Sequence, residues 1–272
     1  MMIRLILILL AVPAVVLPLL SLGYIFVQAA PWFSVTVLLG DAQQHSMISS
    51  GLVPQIMGSL LLMGLACALA FPAALSLALF DMIYANASQR RVLAAALQLL
   101  QGIPPIVYGL CALVVLVHLF HWGISLVSGA LVLAVVILPL LTENIMHALQ
   151  RIAPEQTEAA KNLGLSAWHI VVRVWLPVAW SDILTGVLLA MARALSETAP
   201  ILFTATVFSG VSLPDSIWSP VSSLQTHIFY LAQEASNKQA MGVAWVSAAL
   251  LLLLVLGLSV VAWWLRQRRL GA

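Results

Sequence analysis

Six long apolar stretches separated by polar segments set the pattern of the chain. They cover residues 3–27, 52–80, 99–121, 124–146, 179–207 and 241–265. Each reaches the ~20 apolar residues that a helix needs to cross the hydrocarbon core of a bilayer. Pro and Gly fall within several of them, which membrane helices tolerate. The first stretch has one arginine, Arg4, and is then apolar to Val27. A signal peptide has a shorter apolar core of ~7–15 residues, so this stretch is expected to be an uncleaved first helix. The pattern predicts an all-α polytopic membrane protein with six transmembrane helices, forming one transmembrane domain over residues 1–272.

Composition strengthens that picture. The chain has 272 residues, 63% of them hydrophobic and only 7% charged, and a mean hydropathy of +1.10. A soluble domain carries about 25% charged residues. Cys67 and Cys111 both sit in apolar runs, where they are expected to be small buried hydrophobes outside any disulfide framework.

Charge sets direction. With six helices, both termini share one side. That side holds Arg4, Arg90, Arg91, Arg151, Lys161, Arg173, Arg266, Arg268 and Arg269, whereas the other holds only Lys238. Positive residues concentrate on the cytosolic side, so both termini are expected in the cytosol. The inside loops are then 81–98 and 147–178; the outside segments are 28–51, a short turn near 121–123, and 208–240. Trp32, Trp122, Trp263 and Trp264 lie near span ends, as interfacial anchors do. Arg266, Arg268 and Arg269 read as a positive anchor touching anionic membrane lipid. The net charge of +2 gives no reason to expect a nucleic-acid partner.

The long inside loop carries a local signal. Pro154 suits the first turn of a helix, Glu155 and Glu158 sit near its positive end, and Gly164 suits the position just past its end. A helix over 154–163 is predicted. It is too short to be stable alone in water, so it must dock on something; lying on the membrane surface is the alternative. Elsewhere, Glu143, Asn144 and His147 fall at the cytosolic end of span four and Asp182 at the start of span five, where interfacial and capping roles suffice. His118 and His121 lack a third partner, and no metal site is expected.

The segment "RALSETAP", residues 193–200, is a charged interruption of an apolar run. Counted from Ala179, Arg193 lies 14 residues into its span, ~21 Å along a helix and past the middle of a ~30 Å core. A charge there costs at least ~2.5–3.5 kcal/mol on insertion scales. Arg193 and Glu197 share one helix face and can pair. Pro200 removes the bond to the Ser196 carbonyl, so a kink or opened turn is expected beside the pair. Two readings stand: a permanent ion pair that fixes helix packing, or a water-lined translocation path or gate. Arginine suits an oxyanion, because its planar fork donates two parallel bonds.

Three motifs carry a family resemblance. Glu158-Ala159-Ala160, three residues, Gly164, nine residues, Val174, one residue and Leu176-Pro177 resembles the EAA loop of binding-protein-dependent ABC importer permeases. "SDILTGVLLAMARALSETAPILFTA", residues 181–205, resembles the phosphate permeases of the PstA type. Residues 102–109, "GIPPIVYG", are similar to a segment of the same family, and "HIFYLA", residues 227–232, is a weaker match. The resemblance covers roughly residues 50–265. Ser196 stands where the family has Gly, and Pro105 where it has Ser.

The resemblance implies a type I ABC importer permease fold in a bacterial inner membrane. It implies a cytosolic coupling loop at 147–178, in which Glu158, Ala159, Ala160 and Gly164 meet an ABC ATPase dimer. It further implies a second permease subunit, a phosphate-binding protein outside, and a substrate pathway near Arg193, Ser196, Glu197 and Thr198. The only lysines, Lys161 and Lys238, are preceded by Ala160 and Asn237, so neither belongs to a Walker A loop. No cofactor is therefore expected on this chain, with ATP and Mg used by the partner ATPase. No nucleophile–base motif stands out, so a transport subunit is expected, not an enzyme. The alternatives are a permease for molybdate, sulfate or phosphonate, or a membrane sensor or assembly subunit that moves nothing.

Overall fold

The computed structural model describes residues 2–40, 51–207, 213–234 and 236–270, with the side chains of 2–10 and 268–270 outside that description. The side chains of Arg268 and Arg269, two of the three expected lipid anchors, and parts of the segments 28–51 and 208–240 therefore lie outside that description. Among the described residues there is no strand.

Helix α1 spans Met2–Ala29, and a 3₁₀ turn over Ala30–Trp32 leads to the short α2, Val35–Leu39. Helix α3, Val53–Ile83, is the first long central helix. Its residues Ala66, Ala70, Ala74 and Ala78 are nearly or fully buried and recur every four residues on the side that packs against α6, Leu126–Gln150. Small side chains in a stripe let two membrane helices approach closely. Helix α9, Leu176–Leu195, completes the central layer, and α12, Lys238–Leu270, lies against it. Helix α1 packs on α12, where Tyr24 meets Trp245 edge to face at 5.6 Å. Gly242 is needed there, since a Cβ would overlap the Trp32 ring; Trp32 is thus packed inside the protein, not only at an interface.

Among the described residues, five helices are long and apolar enough to cross a membrane, and a sixth crossing is made only if a bent pair counts as one span. That pair corrects the expected span 99–121. Helix α4, Ala87–Gly102, and the segment Pro105–Leu119 meet at 89°. Pro104 has no N–H and drives Ile103 to an extended backbone, φ −75° and ψ 125°. The expected inside loop 81–98 is therefore largely helix. It begins with a capping box in which the Asn86 side chain accepts from the Gln89 backbone and Gln89 answers from its own side chain. Helix α5, Pro105–Ala112, runs on as a wide π turn over Leu113–Leu119. Together they are 15 residues, ~22 Å at the α-helical rise, short of a full core. Cys111, on α5, is exposed rather than buried, whereas Cys67 is buried as expected; both are free thiols.

Candidate functional site

The helix expected at 154–163 forms as α7, Pro154–Asn162. Gly164 adopts φ +75°, its N–H donates to the Lys161 carbonyl at 2.9 Å, and Leu165 N–H donates to the Ala160 carbonyl at 3.2 Å. This is a Schellman stop, and it explains why the position after Leu163 is glycine. Helix α7 is held to its own chain by a hydrogen bond from Trp175 Nε1 to Thr157 Oγ1, 3.1 Å. Glu158 and Ala159 are exposed, but Ala160 is buried within this chain. Of the four residues expected to meet the partner, Glu158, Ala159 and Gly164 are exposed and Ala160 is packed against its own chain. Leu163 projects beside them with 81% of its surface exposed.

After α7 the chain is helical from Ala167 to Leu195: α8, Ala167–Ile170, a π turn over Val171–Trp175, then α9. Asp182 therefore lies well inside a continuous helix and not near a free helix terminus. It faces Arg151 at 3.9 Å, in a cavity of about 90 Å³ that also meets Asn144, His147 and Arg266. Glu143 accepts a hydrogen bond from Gln101 Nε2 at 2.7 Å, tying α6 to the end of α4.

The opened turn expected at Pro200 is present. Helix α9 stops at Leu195, and α10, Ala199–Thr204, begins only after Ser196, Glu197 and Thr198. Arg193 Nη2 and Glu197 Oε1 stand 2.5 Å apart across this break. The pair is lopsided: the arginine side chain is 52% exposed and the glutamate side chain 8%. Ser196 is exposed and its hydroxyl donates to the Ala192 carbonyl at 2.9 Å, whereas Thr198 is half-buried. Arg193 borders a cavity of about 330 Å³ at the α4–α5 bend, with Gln101, Pro105, Tyr108 and Pro139 on its wall. Gly109 lets α5 lie against α10: a Cβ there would stand 3.0 Å from the Ala199 carbonyl oxygen. The segment 102–109 thus frames the same site as Arg193. Tyr108 belongs to the segment 102–109 already singled out, whereas Gln101 is a wall residue that the sequence reading passed over; a glutamine inside an apolar run beside two prolines was the available signal.

A family model described as the inner membrane component of binding-protein-dependent transport systems matches residues 70–270. The chain belongs to the ABC importer permeases. It is a membrane transport subunit, not a catalytic enzyme. The permease is 32% identical over 245 residues to the phosphate transport system permease protein PstA 2 of Mycobacterium bovis, covering 89% of this chain and 80% of that one. It is also 32% identical to the phosphate transport system permease protein PstA of Xylella fastidiosa, covering 77% and 72%. In fold it matches a chain of a bacterial ABC transporter that imports alginate, with a TM-score of 0.65 at 16% identity, covering 96% of this permease and 93% of that chain. The expected type I importer fold is therefore found.

Proposed function

We propose that this permease moves inorganic phosphate inward across a bacterial inner membrane, with both termini in the cytosol and the whole chain acting as one transmembrane domain. The observation that carries the reading is the lopsided pair at the helix break. An anion arriving from the cavity meets the half-exposed guanidinium of Arg193, while the carboxylate that would repel it is turned into the protein. Glu197 holds the arginine when no anion is present. The planar fork then offers two parallel N–H donors to an oxyanion, and the exposed Ser196 hydroxyl oxygen and Thr198 stand within the same break. The names of the relatives favour phosphate over other oxyanions.

Drive comes from a partner. Helix α7 presents Glu158 and Ala159 to a cytosolic ABC ATPase dimer, which uses ATP and Mg²⁺. Gly164 ends that helix so that its motion passes through Trp175 into α9 and the Arg193 break. A second permease subunit completes the pathway, because the wall beside Arg193 is open on the side of the exposed α5. A phosphate-binding protein delivers the anion on the face carrying Leu224–Gln233.

The test is uptake of labelled phosphate at micromolar concentration by cells lacking this chain, with and without its return. The expected result is restored uptake, suppressed by excess unlabelled phosphate and not by sulfate or molybdate. Uptake suppressed by molybdate or sulfate instead would reassign the anion. No uptake of any oxyanion, with the protein in the membrane beside its ATPase, would favour a non-transporting subunit.

A further inference from the structure

Breaking α9 after Leu195 leaves its last carbonyls without helical partners. The chain supplies three of the replacements locally. The Ala192 carbonyl takes the Ser196 hydroxyl at 2.9 Å, the Arg193 carbonyl takes the Ser196 N–H at 3.0 Å, and the Ala194 carbonyl takes the Glu197 N–H at 3.3 Å. The Leu195 carbonyl is different. It accepts from Gln225 Nε2 at 2.7 Å, thirty residues further along the chain.

Gln225 belongs to α11, Leu224–Gln233, which packs on α12 and α3. It is 4% exposed, and both ends of its amide are held. Its Oε1 accepts from Ser59 Oγ of α3 at 3.0 Å, and that Oγ in turn accepts from the Leu224 N–H at 2.9 Å. The backbone of α3 also abuts the start of this unit, because a Cβ at Gly58 would overlap the Ser222 carbonyl. The C-terminal end of α11 is exposed at Phe229, Ala232 and Gln233, with Phe229 and Ala232 one and two turns further along the face that carries Gln225. A buried amide–carbonyl bond is costly to leave unmade. Any displacement of α11 must therefore carry the end of α9 with it or break that bond.

We infer that Gln225 is a positioning residue that links the exposed edge of α11 to the Arg193–Glu197 break, so that a protein docked on α11 sets the geometry of the pair. The link rests on the reading of the pair as the anion pathway. It gives the docking event a mechanical route of one side chain: α11 shifts, Gln225 pulls or releases the Leu195 carbonyl, and the turn that separates Arg193 from Glu197 opens or closes. Ser59 keeps the amide oriented with its N–H₂ toward Leu195.

The test uses the full complex in proteoliposomes with ATP. Three quantities are read: basal ATPase activity, ATPase activity stimulated by the phosphate-loaded binding protein, and phosphate uptake. Gln225→Met keeps the volume and removes the donor. Ser59→Ala removes one hydroxyl and leaves the packing. With basal ATPase activity unchanged, stimulation and uptake are expected to fall about tenfold in Gln225→Met, the factor one lost buried hydrogen bond corresponds to, and about threefold in Ser59→Ala. A merely structural role would lower assembly and basal activity together and would not move stimulation alone. Stimulation equal to wild type in both variants overturns the inference. Where Gln225→Met does not assemble, Ser59→Ala decides by the same criterion. Arg193→Gln is measured beside them: if it transports normally, the pathway reading itself fails, whereas a dead Arg193→Gln with wild-type Gln225→Met and Ser59→Ala removes only the link.

Discussion

Arg193 can be tested for more than its charge by a double-mutant cycle with Glu197. Removing the guanidinium in Arg193→Gln leaves a carboxylate whose side chain is only 8% exposed. Stripping one partner from a fully buried pair costs about 3–5 kcal/mol. Because the Arg193 side chain is 52% exposed, water already screens half of this pair, and about 2 kcal/mol is the appropriate expectation. Glu197→Gln leaves a half-exposed cation and costs less. The double variant removes the stranded charge and puts two amides in hydrogen-bonding reach, so most of the lost stability returns. Transport separates the two readings. If the pair only locks packing, uptake follows stability and recovers in the double variant. If Arg193 meets the anion, uptake stays absent in both variants that lack it. The assay is thermal stability of the purified complex alongside labelled phosphate uptake after reconstitution. A double variant that is stable and transports at the wild-type rate would refute the pathway role.

Glu158→Lys reverses an exposed charge on α7 and is expected to abolish uptake while the permease still reaches the membrane; normal uptake removes the docking role of that helix. Gly164→Val forces a β-branched residue into φ +75°, at a cost of about 1–2 kcal/mol, and is expected to raise amide exchange across 154–165; unchanged exchange would show that the Schellman stop does not hold the helix. Cys111 is exposed and Cys67 buried, so a membrane-permeant maleimide is expected to modify Cys111 first; preferential modification of Cys67 would contradict the α3–α6 packing.

Where the signal is local chemistry, the sequence already contains the structure. Pro154 and Gly164 bound α7 because each residue's backbone preference acts at its own position. Pro200 opens the turn after Arg193 for the same reason. The long apolar runs mark α1, α3, α6 and α12 to within a few residues, since the bilayer asks only for length and hydropathy. Apolarity does not say whether a run is straight. Residues 99–121 read as one span, yet Pro104 splits them at 89°, and the polar Gln98 and Gln101 belong to the other limb. Span five starts before Ala179, because helix continues backward through a π turn to Ala167, which puts Asp182 away from a terminus and beside Arg151. Small size told that Ala159 and Ala160 permit close approach, but not that Ala160 spends its surface on its own chain. Gln225 and the Leu195 carbonyl are joined across thirty residues, and no local pattern marks such a bond.

The most direct measurement is the accessibility of Ser196→Cys, in a background with Cys67 and Cys111 replaced by alanine, to a membrane-impermeant thiol reagent added from either side of the reconstituted complex. Ser196 is exposed in the break between Arg193 and Glu197. Modification is expected from one side in the resting complex, from the other when ATP closes the ATPases, and more slowly with phosphate present in at least one state. A thiol that is inert from both sides, or one whose modification rate ignores both ATP and phosphate, would contradict a substrate pathway at this break.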